Sequence, residues 1–173
     1  LEVLDAEGIN RFADKALLDA EPLAEWGEKY RRVVEHWRKT LLKNGRDQGN
    51  GQHEAELFGI RLNGVMLIGA NAEVFSAFTD MLRCQSDAKI YLIGYANGDV
   101  GYLPTRAAYA EGGYEVEVAH MFYGGFRPQA GGLELLATAA SDLVSELQGD
   151  VNWAKSGAEA KHPAKARPAT AEA

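Results

Sequence analysis

Between residues 11 and 45 apolar positions recur at steps of three and four: Leu23, Trp26, Tyr30, Val33, Val34, Trp37 and Leu41. That spacing lines one face of a helix, and Glu, Lys and Arg fill the other as a solvated face. Pro22 suits a first helical turn, and Lys43-Asn44-Gly45 supplies a stop. A polar, glycine-containing loop follows ("RDQGNGQHEAE", 46–56). In "ELFGIRLNGVMLIGA" (56–70) two apolar runs flank Asn63-Gly64, the kind of two-residue turn that a type I′ hairpin demands. Helical spacing returns at Val74, Phe75, Phe78, Met81 and Leu82, with Asn71 as a candidate N-cap and Glu73 in the first turn. A short, nearly continuous apolar strand covers 89–95 and ends in a turn. "LPTRAAYAEGG" (103–113) reads as a brief helix capped by Thr105 and ended by Gly112-Gly113. Residues 114–119 read as a last strand or an irregular segment, and "GGLELLATAASDLVSELQ" (131–148) as an amphipathic helix. The pattern predicts an α/β or α+β fold, a mixed sheet containing a β-hairpin and flanked by amphipathic helices, over residues 1–150.

Composition changes this picture at one end only. The 173 residues are 46% apolar and 25% charged, the balance of a globular domain with one core. From Val151 on, Lys155, Lys161, Lys165 and Arg167 face only Glu159 and Glu172, so this Ala/Lys/Pro-rich tail is +2 and the remainder −9. Such a tail cannot bury enough apolar area to offset its ordering entropy, so residues 151–173 are expected to be disordered. The overall charge of −7 argues against nucleic acid as a partner. No stretch approaches a membrane-spanning length of apolar residues. The single cysteine, Cys84, forms no internal disulfide and reads as a small core or half-buried residue.

Candidate chemistry lies in "GYANGDVGYLPTRAAYAEGGYEVE" (94–117), where Tyr102, Tyr109 and Tyr114 are framed by glycines. A buried phenol must be paired, so each ring is either a structural plug or points its hydroxyl at something. Glu73 falls where a strand ends and a helix is expected to begin, and Tyr102 directly follows another strand; such ends are common places for sites in α/β sheets. A carboxylate is a hard oxygen ligand for zinc, and a phenolate can be one where the ion lowers the phenol's pKa. Residue types alone favour the plainer reading, in which Glu73 is a helix-start charge favoured by the dipole and both tyrosines are ordinary half-buried aromatics.

The wording of "LNGVMLIGANAEVFSAF" and "YLIGYANGDVGYLPTRAAYAEGGYE" resembles the neutral, non-lysosomal ceramidase family and its bacterial relatives, from about Glu56 to about Leu147. The resemblance implies the carboxy-terminal part of a zinc-dependent amidase that releases a fatty acid and a sphingoid base from an N-acyl lipid. It places the family's glutamate zinc ligand on Glu73, its tyrosine zinc ligand on Tyr102, and on Tyr114 the tyrosine that steadies the carbonyl oxygen of the scissile amide. Asn71-Ala72 stand where the family has Pro-Gly, which removes a rigid turn and keeps the ligand type. In such an enzyme zinc activates a water and polarises the carbonyl, while the second phenol donates to the oxyanion.

The resemblance also implies two histidine zinc ligands, and none of His36, His53, His120 or His162 sits in a matching motif. A catalytic zinc takes about three protein ligands, so the nitrogen donors are expected from an amino-terminal half that is missing here. The chain also begins at Leu1 within helical sequence, and a fragment of this kind is expected to expose the surface that meets its other half. His120, the histidine nearest the motif, reads as a structural residue or as a group supporting the site; His36 and His53 read as surface residues. Two alternatives remain: a relative acting on a non-lipid amide or ester, and a non-catalytic binding domain of the same fold. The family's secreted or membrane-associated habit points to an extracytoplasmic home.

Overall fold

A computed structural model describes residues 5–19, 24–44 and 54–149. In chain order the elements are α1 (Ala6–Asp19), α2 (Ala24–Asn44), β1 (Leu57–Leu62), β2 (Val65–Ala70), β3 (Glu73–Val74), α3 (Ala77–Arg83), β4 (Lys89–Ile93), β5 (Tyr102–Leu103), α4 (Ala108–Glu111), α5 (Tyr114–Glu117), α6 (Ala119–Phe122) and α7 (Gly132–Gly149). The fold class is the expected one: helices with a mixed sheet whose hairpin strands are antiparallel. The chain sorts into two compact units, one made of 1–53 with 101–132, the other of 54–100 with 133–173.

The first unit is helical. Its core joins Ile9, Ala13 and Ala16 of α1 to Val34, Trp37 and Leu41 of α2, and both to Met121 and Phe126. Of the predicted apolar stripe, Val34, Trp37 and Leu41 are buried in α2 with Tyr30 and Val33 packed half-buried against the core, Leu23 and the Trp26 side chain lie outside the described residues, and His36 is exposed as expected. The chain forms two helices here, α1 and α2, and Pro22 and the loop carrying His53 lie outside the described residues. Asp5 opens α1, its Oδ1 accepting the Gly8 N–H at 2.8 Å, as an N-cap carboxylate should. The Trp37 indole N–H donates to the Gly125 carbonyl at 2.8 Å, so the largest buried ring also has its polar atom satisfied. Residues 114–119 are not a strand: Tyr114–Glu117 close a helical turn in which Val118 N–H reaches the Tyr114 carbonyl at 3.0 Å. The double glycine before them turns the chain too sharply for it to run on as a strand.

The second unit is a three-stranded sheet in the order β1-β2-β4, with β1 antiparallel and β4 parallel to β2. Asn63 and Gly64 both take positive φ, 46° and 83°, the backbone of the predicted I′ turn. Met66, Ile68 and Ala70 of β2 and Ile90 of β4 point to one face and are buried. Helix α7 approaches β1 closely, since a Cβ on Gly59 would stand 2.6 Å from Leu147 Cδ1 and 3.2 Å from Leu143. Arg61 on the same face donates to the Leu147 carbonyl at 2.9 Å, placing a cation at the helix C-terminus. Two expectations are corrected here. Helix α3 begins at Ala77 after Ser76, so Asn71 is not its N-cap and Glu73 is not in its first turn. Cys84 is exposed, because it follows Leu82, the last buried position of α3. The tail from 151 on, with His162, lies outside the described residues.

Candidate functional site

Tyr102 and Tyr114 belong to the helical unit, and their rings meet edge to face with centroids 6.1 Å apart. Each is delivered by glycine. Gly101, at φ 89°, precedes Tyr102, and a Cβ there would lie 2.9 Å from the Tyr123 ring. Gly112 and Gly113 take φ 76°, ψ −150° and φ 103°, ψ 176°, a region that side-chain-bearing residues essentially never enter. The pair thus ends α4 and starts α5 within two residues, which brings Tyr114 up as the first residue of the new turn with 45% of its surface exposed. Thr105 Oγ1 accepts the Ala108 N–H at 3.2 Å in the turn that leads into α4, but the N-cap position of the helix itself is Ala107, not Thr105 as expected. From Tyr114 the aromatic contacts continue to Phe122 (5.9 Å) and from Phe122 to Tyr30 (5.9 Å), so the Tyr114 ring stands in a row of rings, between Tyr102 and Phe122. Tyr109, between the two, is a structural plug: its hydroxyl donates to the Pro128 carbonyl at 2.5 Å, and the Arg127 guanidinium lies over its ring.

Glu73 belongs to the sheet unit, half-buried in β3. The segment that carries it is clamped from two sides. The Asn71 side-chain oxygen accepts the Glu56 N–H at 2.7 Å, and Asn71 N–H returns to the Glu56 carbonyl at 3.2 Å. From the other side the turn after β4 donates Tyr95 N–H to Ala72, Ala96 N–H to Ala70 and Val100 N–H to Asn71, at 3.3, 2.9 and 2.8 Å. A side-chain hydrogen bond and a docked turn thus hold this segment in place.

That turn brings in a residue the sequence did not single out. Tyr95 sits at φ 56°, unusual for a bulky residue, and its hydroxyl donates to Glu73 Oε2. The bond to the carboxylate pushes the Tyr95 phenol up to about 12, so it remains a proton donor. The signal was its place in "GYANGDVG", a glycine-flanked turn directly after a strand.

His120 is sealed in the helical core. Its ring lies edge-on to Trp37 (5.5 Å) and Phe12 (6.3 Å), and neither ring nitrogen has a hydrogen-bond partner among the described residues. Burial, reinforced by the positive charge of Arg127, lowers its pKa to about 4, so it is a neutral aromatic filler at ordinary pH.

A carboxylate such as that of Glu73, in the sheet unit, and a phenol such as that of Tyr102, in the helical unit, are each hard oxygen donors of the kind zinc accepts. Among the described residues no three His, Cys, Asp or Glu side chains converge as a metal-holding group. No family model, curated protein or solved structure matches this chain.

Proposed function

We propose that this chain is the carboxy-terminal part of a zinc-dependent amidase of the neutral ceramidase kind, completed by upstream polypeptide that brings two histidines. The observation that carries the reading is the delivery of Tyr114: two glycines in glycine-only backbone set its ring edge-on to Tyr102 and half out of the surface. A phenol held this way can donate to an oxygen that gains charge when an amide carbon turns tetrahedral. Tyr102, behind it, and Glu73, fixed by Asn71 and Tyr95, are the residues that would hold zinc. The metal, when bound, supplies Lewis-acid polarisation of the carbonyl and an activated water. The aromatic row running from Tyr114 through Phe122 to Tyr30 favours a substrate with an apolar arm beside its amide, such as an N-acyl sphingoid base.

The test uses the full-length protein with zinc, given a fluorescent ceramide and a set of short acyl-amides. Release of the sphingoid base alone supports the lipid reading, and turnover of the short amides alone moves the substrate class. No turnover of either leaves the chain a non-catalytic domain. Tyr114→Phe is expected to lower kcat about 100-fold with zinc content unchanged. Tyr102→Phe is expected to lose zinc on dialysis, and full retention of the metal would remove that residue from the ligand set.

A further inference from the structure

The turn that follows β4 holds one residue whose backbone is not explained by packing. Tyr95, Asn97 and Gly98 all take positive φ, at 56°, 64° and 140°. Asn and Gly enter that region at little cost, whereas a bulky side chain is strained there. Burial does not offset the strain, because Tyr95 is 61% exposed. What the conformation achieves is a contact: the Tyr95 hydroxyl donates to Glu73 Oε2, 22 residues back in the chain. Three backbone hydrogen bonds, from Tyr95, Ala96 and Val100 to Ala72, Ala70 and Asn71, already dock the turn, so what the hydroxyl adds is a hold on the carboxylate. Tyr109 shows the other use of a phenol in this protein, a half-buried ring whose hydroxyl serves the main-chain carbonyl of Pro128.

We propose that Tyr95 is a positioning residue for Glu73: its hydroxyl sets the direction in which that carboxylate is presented to a cation. The inference rests on the amidase reading, in which Glu73 is a zinc ligand, and adds a residue to which the resemblance gives no role. The two anchors of the segment divide the work. Asn71 Oδ1 accepts the Glu56 N–H at 2.7 Å and holds the backbone, while Tyr95 holds the end of the side chain. A glutamate has three rotatable side-chain bonds, and an ion that binds a loose one must order them. A carboxylate already held by an outer hydrogen bond is ordered beforehand. The donor's chemistry suits the task. A phenol carries no charge, so it orients the anion without neutralising it, whereas a lysine or arginine in its place would form an ion pair that competes with the metal. Asn71, Glu73 and Tyr95 all belong to the sheet unit.

The test measures two quantities on the full-length protein: zinc affinity, by competition with a chelating dye, and the melting temperature of the zinc-free form. Tyr95→Phe keeps the ring and removes only the hydroxyl, and is expected to raise the zinc dissociation constant about 10–100-fold. Tyr95→Asn separates positioning from folding. Asparagine accepts left-handed backbone but is too short to reach where the phenol does. It should therefore match or exceed the wild-type melting temperature while binding zinc as weakly as Tyr95→Phe. Zinc affinity that falls only in step with melting temperature across the two variants overturns the inference and assigns Tyr95 to the turn alone. Unchanged affinity in both, with Glu73→Ala deficient in zinc, also overturns it and leaves the amidase reading standing. A wild-type protein that binds no zinc, or a Glu73→Ala variant that holds it as tightly as wild type, overturns both.

Discussion

The roles of single residues follow from backbone conformations as much as from side chains. Gly113, at φ 103° and ψ 176°, occupies a region in which any Cβ is strained, and its nearest neighbour there is a carboxylate oxygen of Glu115 at 3.8 Å. Space is therefore not what requires glycine; the torsions are. Gly113→Ala is expected to destabilise the protein by about 1–3 kcal/mol and to shift Tyr114 off Tyr102. Urea denaturation measures the first effect, and loss of the ring-current shift between the two tyrosine rings in the NMR spectrum measures the second. A fully stable variant with the ring contact intact would mean that the glycine pair does not aim the phenol. Tyr95 makes the complementary case, a bulky residue held in left-handed backbone while its hydroxyl serves Glu73.

At the scale of elements, what could be read in the sequence is what local chemistry decides. The hairpin was legible because Asn63-Gly64 permits positive φ at two successive positions and little else does. Helix α7 and the buried face of α2 were legible because their apolar period is long enough to choose one side. The errors fall where an element is too short for its period to decide. Residues 71–76 were read as the start of a helix, but Asn71 uses its side chain on Glu56, fifteen residues back, and Glu73 goes into a two-residue strand. Residues 114–117 alternate like a strand, yet they form one helical turn, because Gly112 and Gly113 redirect the chain before any ladder can form. Of the candidate site, the tyrosine pair was visible through its glycine frame. Tyr95 was not, since its contact with Glu73 spans two segments 22 residues apart. The hairpin gives the sharpest test of a local signal. A Cβ on Gly64 meets nothing within 4 Å, so Gly64→Ala changes only the cost of φ 83°, about 1–2 kcal/mol, and thermal unfolding should show that loss with no change in core packing.

Over the whole molecule, acid stability should be governed in large part by one buried ring. His120 has its pKa lowered from the ordinary value of 6.5 to about 4, first by burial and then by the like charge of Arg127. The unfolded chain takes up a proton near pH 6.5, while the folded core refuses it until about pH 4. Neutral His120 therefore contributes its full stability above pH 6.5, loses it progressively as the pH falls toward 4, and loses no more below that. A shift of this size corresponds to about 3 kcal/mol across the window. Glu35, held below its ordinary 4.5 by the Arg38 hydrogen bond, begins to lose its contribution only as the pH falls below that value, near the foot of the His120 window. His120→Leu keeps an apolar filler between Trp37 and Phe12 and removes the titration. Urea midpoints measured from pH 7 to pH 4 should fall steeply for the wild-type chain and stay much flatter for the variant. If both chains lose stability in parallel, the ring is reached by water or by a partner that satisfies it, and the helical core is more open than its packing implies.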